Sequence, residues 1–240
     1  KNRYILARVK IAFAILLKGR VSFRKILNAA HCWFAQKFHF VKAAPFPFMI
    51  NFELWNECNA QCTFCRTDDG VIYDQNPENK GQVPIPKGKM SLDLYKEIIE
   101  QSKDHILIAV LYVNGEPLMY KGLYEAIQFA SDRGVATLIS TNGELLTENN
   151  IKKLLESGLD FVKIAISGFS QDIYTVQHRG CHIEKIKDNL ETLARLRDLG
   201  QHKILTMLDY VYYQYNSHEY QSALDFGQRL GFMVSRRPGN

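Results

Sequence analysis

From residue 48 onward the chain alternates short apolar runs with helical segments, and this alternation narrows the choice of fold more than anything else in the sequence. The runs FMINFEL (48–54), ILIAVLYV (106–113), VATLIST (135–141), FVKIAIS (161–167) and ILTMLDYVYY (204–213) read as strands, and FMVS from Phe232 opens a sixth. Between them lie helices over 91–103, capped by Ser91, over 123–134, closed by Gly134, and over 147–158, capped by Thr147 and ended by Gly158. Two more helices cover 181–200 and 217–231. Several strands are apolar on both faces, which requires a parallel sheet sheathed in helices, an α/β fold. A doubly wound sheet and a barrel both satisfy the pattern. In either, ligands gather beyond the carboxyl ends of the strands.

The 240 residues, 46% hydrophobic, suffice for one large domain with its own core. No apolar run reaches the length of a membrane span; the longest near the start is VKIAFAILL, residues 9–17. The net charge of +5 conceals an asymmetry. Residues 1–52 hold ten Lys or Arg and no acid, whereas the remainder carries 20 bases against 25 acids. The basic stretch has apolar residues at helical spacing, broken at Gly19 into two helices, and AAPFPF (43–48) follows as a linker because its prolines forbid a helix. The division is therefore a basic helical arm over 1–44 and a core over 45–240. The arm is expected to pack its apolar side on the core with its Lys and Arg facing water. The competing reading is contact with an anionic partner or membrane surface, which would favour a lipid-linked or membrane-presented substrate. Nothing in the sequence points to nucleic acid.

Five cysteines, an odd number with three inside CNAQCTFC (58–65), argue against a disulfide framework and for thiols acting as ligands in a reducing, cytoplasmic setting. Cys58, Cys62 and Cys65 are spaced C-x3-C-x2-C on the loop that leaves the first strand. Structural zinc takes four protein ligands, and a four-iron cluster normally takes four as well. Here the next cysteine, Cys181, is more than a hundred residues away in sequence. Three ligands leave one iron open to a second molecule. Cysteine-bound zinc and an electron-transfer cluster are the alternatives.

With Phe64 before its last cysteine, this loop resembles that of the radical S-adenosylmethionine (SAM) enzymes, and the other strand ends add to the likeness. Asn114-Gly115-Glu116-Pro117 after the second strand resembles the GGEP element, with Asn114 in place of the first glycine. Ser140-Thr141-Asn142-Gly143 ends the third strand as the family's TNG does. Ser167 ends the fourth, with Arg179 twelve residues on, and Asn216 follows the fifth. The resemblance spans about residues 48–235. It implies a partial (β/α)6 TIM-like barrel and a [4Fe–4S] cluster on the three cysteines. SAM would lie against Phe64, Asn114, Gly115, Glu116, Pro117, Ser140, Thr141, Asn142, Ser167, Arg179 and Asn216. It further implies reductive cleavage of SAM to a 5′-deoxyadenosyl radical and an external electron donor of flavodoxin or ferredoxin type. The arm suggests the SPASM-associated branch, whose auxiliary-cluster domain would lie beyond Asn240.

The substrate is not written in the sequence beyond a polar molecule: a sugar, nucleotide, peptide or carrier-linked group. The polar insertion over 66–90 offers Asp68, Asp69, Tyr73 and Asp74 as candidate contacts. The rings of DYVYYQY (209–215) read as core first and as adenine or substrate contacts second.

Overall fold

The structure, a computed structural model, describes residues 2–40, 46–63, 65 and 87–239, with residues 2–9 as backbone. Two helices, α1 (Asn2–Leu17) and α2 (Phe23–Lys37), precede the core. The core then runs β1 (Met49–Asn51), α3 (Leu92–Ser102), β2 (Ile108–Val110), α4 (Leu123–Asp132), β3 (Ala136–Thr141), α5 (Glu148–Glu156) and β4 (Phe161–Ile166). It closes with α6 (Gln171–Tyr174), α7 (Ile183–Leu199), β5 (Leu205–Tyr212), α8 (Tyr220–Arg229) and β6 (Met233–Pro238). All pairings are parallel and the sheet order is β1-β2-β3-β4-β5-β6. A doubly wound sheet reverses its order at a switch point; this one adds every strand to the same edge, so the barrel reading stands. β1 and β6 do not pair, and the barrel is open between them.

Alternation along the strands separates two faces. On β4, Val162, Ile164 and Ile166 are buried in the main core under the helices, while Phe161, Lys163 and Ala165 point to the inner side. The amino-terminal end of that inner side is plugged by α1, whose Ile15 packs on Ala136 and Phe161, with Ile108, Leu138 and Leu205 around them.

Several expected boundaries move. The first two strands shrink to three residues each, because beyond Asn51 and Val110 the chain departs to build loops, held by Asn114, whose backbone and side-chain N–H groups both donate to Glu53 Oε1 at 3.1 and 2.7 Å. The short α6 was not expected. α7 starts two residues late because the His182 N–H is bound by the Glu144 carboxylate. The helix expected over 217–231 begins as a 3-10 turn, Ser217–Glu219.

The expectation for the arm holds only in part: α1 packs apolar residues on the core, but the arm's bases do not all face water. Lys18 Nζ and Arg20 Nε reach Asp160 Oδ1 at 2.8 and 3.0 Å, and the Asp160 side chain is 1% exposed. Asp160 Oδ2 accepts from the Thr137 N–H at 2.9 Å, and Arg20 also donates to Ser131 O and Oγ. Lys25, 4% exposed, donates to Gly134 O at 2.6 Å; burial lowers its pKa to about 8. Asn28 Nδ2 donates to Pro47 O and His105 O. The physical reason is that the residues before β1, β2 and β3 present carbonyls at the sheet's amino-terminal rim, and buried carbonyls require donors. The polar face of α2 supplies them and its apolar face is left outside. No described helix is long and apolar enough to cross a membrane.

Candidate functional site

The rule that ligands gather at carboxyl strand ends can be followed loop by loop. After β1 the chain passes Trp55, which bridges to Lys89, and Met90 N–H returns to Leu54 O at 3.1 Å. The excursion carrying the cysteines is thus clamped at its neck. Within it, Cys65 N–H turns back to Cys62 O at 3.2 Å and Ala60 N–H donates to Cys58 Sγ at 3.4 Å.

The cysteine loop is tied to three other strand ends. Gly115 has φ +75°, and a Cβ there would lie 2.6 Å from Trp55 O and 2.7 Å from Glu57 O. Only glycine lets the 114–117 turn approach the chain entering the cysteine loop so closely. Glu116 N–H then bonds Glu57 O at 2.8 Å. From the β3 end, Asn142 Nδ2 donates to Asn59 Oδ1 at 3.0 Å and approaches Cys58 Sγ at 3.7 Å. From the segment after α6, Gln61 N–H donates to Arg179 O at 2.9 Å and Thr63 N–H to Gln177 O at 3.0 Å, with the Thr63 and Gln177 side chains also joined.

The Glu116 carboxyl is 1% exposed and links two of these ends: Oε1 accepts from Leu118 N–H at 3.1 Å and Oε2 from Asn142 N–H at 2.9 Å. Burial raises its pKa to about 7, against the opposing hydrogen bonds from Asn142, Leu118 and Thr141. Pro117 opens a 3-10 turn that fixes the exit of the chain. Thr141 is buried and its Oγ1 accepts from Gly143 N–H at 3.1 Å, while Ser140 is half-buried on the inner side of the sheet.

Burial also raises the thiols. Cys58 is pushed up to about 11, chiefly by desolvation. Cys62 rises further, through burial and then through Cys65, Cys181 and Cys58. The fourth cysteine, remote in sequence, is therefore close in space: Cys181 is 1% exposed and raised to about 12 by burial, then by Glu144 and Cys58. Buried sulfurs that raise one another's pKa would ionise beside a centre that brings positive charge. The donor set fits iron in that sense. Among the described residues no three His, Cys, Asp or Glu side chains converge on a point fit for one metal ion.

The remaining expected contacts divide. Ser167 is fully buried, its Oγ sharing a hydrogen bond with His178 Nδ1 at 2.6 Å. Asn216 is equally buried: Nδ2 donates to Ser167 O and Val211 O at 2.7 and 2.9 Å, and Oδ1 accepts from Tyr213 N–H. Its amide is spent on holding the β4 and β5 ends together. The Arg179 side chain is exposed and its carbonyl serves the cysteine loop. Phe64, with Asp68, Asp69, Tyr73 and Asp74, lies outside the described residues. Sequence reasoning missed His178, which stacks on Tyr174 at 4.7 Å between centroids and is lowered to about 3 by burial, then by Arg237. Its only signal was its place in the polar segment QHRG, between Ser167 and Cys181. Glu53, which holds Asn114, was missed as well.

Comparisons with known proteins agree with this geometry. Residues 52–226 match the Radical SAM superfamily. An S-adenosylmethionine-dependent nucleotide dehydratase of Lacinutrix mariniflava is 29% identical over 51% of this chain and 24% of its own length. An AdoMet-dependent heme synthase of Nitratidesulfovibrio vulgaris is 25% identical over 76% of this chain and 45% of its own. The chain thus spans between about a quarter and a half of these relatives. The crystal structure of Streptococcus suis SuiB bound to precursor peptide SuiA shares the fold with TM-score 0.66 at 14% identity, covering 88% of this chain and 43% of that one. With its open parallel barrel and three-cysteine loop, the chain belongs to the radical SAM superfamily.

Proposed function

We propose that Cys58, Cys62 and Cys65 hold a [4Fe–4S] cluster and that the loops around them hold SAM, in a core over 45–240 preceded by an arm over 1–44. When bound, the cluster supplies the electron, received from a flavodoxin- or ferredoxin-type donor, that cleaves SAM to methionine and a 5′-deoxyadenosyl radical able to take hydrogen from substrate. The single observation that carries this reading is the convergence of the 114–117, 140–143 and 177–180 segments on the cysteine loop. The chain's own residues have distinct tasks. The Asn114–Pro117 turn and the Glu116 carboxylate receive the ammonium of SAM. Ser140, Thr141 and Asn142 lie beside its sugar, and Asn142 also steadies Cys58. In this proposal Arg179 meets the methionyl carboxylate. Ser167, His178 and Asn216 act as positioning residues, fixing the segment that supports the cysteine loop. Phe64 completes the loop in this proposal.

The substrate is a polar small molecule, peptide or carrier-linked group. On the inner side of the barrel, Lys163 donates to Tyr112 Oη at 2.8 Å, and among the described residues no carboxylate lies within ion-pair distance of it. That cation suits a substrate bearing an anionic group. The five free cysteines suit a reducing cytoplasm, and contact of residues 1–44 with an anionic membrane surface belongs to the same proposal. The test is anaerobic reconstitution with iron and sulfide followed by SAM and dithionite. Formation of 5′-deoxyadenosine, lost in each of Cys58→Ala, Cys62→Ala and Cys65→Ala and kept in Cys181→Ser, is expected. A folded Cys181→Ser protein that loses its cluster would mean a four-cysteine site and end the proposal.

A further inference from the structure

Helix α2 of the arm is attached inside out. Along α2 and at its C-cap, Phe23, Ile26, Leu27, Trp33, Phe34 and Phe38 are related by steps of three, four and seven, so they share one face, and they are 47–73% exposed. α1 adds Phe13, Leu16 and Leu17, the last 70% exposed. The polar residues Lys25 and Asn28 are turned inward and anchored to the strand-start carbonyls. A soluble surface seldom leaves so continuous an apolar face uncovered.

We propose that this face lies in the headgroup region of an anionic lipid bilayer, with the mouth of the SAM site turned away from it. This extends the membrane contact of residues 1–44 proposed above. Charge selects the occupant. The exposed bases Arg24 and Lys37 border the stripe, and Lys37 Nζ sits 4.6 Å from the Trp33 ring centroid. No Asp or Glu occurs in residues 1–52. A second copy pairing through the same face would set like charges together, whereas an anionic surface takes the apolar stripe and its basic border at once. Orientation follows from the anchors. Asp160, Gly134, His105 and Pro47 all precede strands, so the arm covers the amino-terminal rim. The cysteine loop lies at the carboxyl rim, and the six residues of β4 alone span about 20 Å. Substrate therefore enters from the aqueous side, not from the bilayer.

The chain's two tryptophans make the test direct, since Trp33 is on the outward stripe and Trp55 at the neck of the cysteine loop. The full chain should float with phosphatidylglycerol-containing vesicles and not with pure phosphatidylcholine, less so at high salt. In Trp55→Phe, brominated lipid should quench and blue-shift Trp33; in Trp33→Phe, Trp55 should be unaffected. Arg24→Ala should lower the partition coefficient roughly fivefold, and Phe34→Ser, at an exposed position that leaves the core intact, should lower it too. Absence of vesicle binding, equal binding to neutral vesicles, burial of the stripe in a stable oligomer, or quenching of Trp55 as strong as that of Trp33 would each overturn the inference. SAM cleavage in vesicle-free solution is read separately, so loss of one result leaves the other standing.

Discussion

Glu116 carries a charge question that a pH titration answers. Its carboxyl titrates near 7 because burial outweighs the N–H groups that favour its anion. A cationic ammonium binds the ionised form, so SAM affinity should fall as pH drops from about 8 to about 6, by up to about tenfold per unit below the pKa. Glu116→Gln should bind SAM more weakly at about pH 8, by roughly 1.5–3 kcal/mol, and with a flatter pH profile. Equal profiles in both proteins, read by equilibrium dialysis, would remove Glu116 from the SAM contacts. His178 gives the opposite sense for stability. Its folded pKa near 3 lies below the ordinary 6.5, so its contribution is fully present above 6.5 and is lost as pH falls toward 3. Each unit in that window costs about 1.4 kcal/mol. The melting temperature should drop between about pH 7 and about pH 5, and less so in His178→Gln. Neither residue's state was legible beforehand. Glu116 sat in a recognisable motif, but its burial is a tertiary property, and nothing in QHRG announces that its histidine lies under Ser167.

At the scale of elements, periodicity told which segments were helix or strand but not which face met the core. The alternation from residue 48 located all six strands because apolar β-branched runs and helix caps are local signals. The lengths of β1 and β2 were overstated because their last apolar residues belong to loops drawn toward the site. For α2 the failure was deeper: its apolar stripe was legible and its orientation was not, since orientation depends on carbonyls contributed by residues 47, 105 and 134. Asp160 is the fixed point of the arm, taking Lys18, Arg20 and the Thr137 N–H together. Asp160→Asn leaves two half-buried cations, Lys18 and Arg20, without their anionic partner, a loss of about 1–3 kcal/mol. Hydrogen exchange should quicken along α1 in that variant, together with a lower melting temperature. Unchanged protection of α1 would mean that apolar packing at Ile15 alone holds the arm.

For the whole molecule, the two rims of the barrel have separate duties. Convergence of loops at the carboxyl rim was foreseeable from the parallel fold, whereas closure of the amino-terminal rim by α1 was not, because it joins residues more than a hundred positions apart. A chain beginning at Ala43 should bare Ile108, Ala136, Phe161 and Leu205 together and lose solubility, seen as aggregation during size-exclusion chromatography. A monodisperse truncated protein would show that the plug is dispensable.

The salt link between Arg20 and Asp160 also sets a timetable for synthesis. The arm leaves the ribosome before its anchor, which is 140 residues downstream, so at about 5–20 residues per second it waits roughly 7–30 seconds for the residue that docks it. Each sheet pairing, by contrast, joins consecutive strands and can form as the chain emerges. During that interval both faces of the nascent arm are open, and a membrane or a chaperone that covers its apolar side early would protect the newborn chain from aggregation.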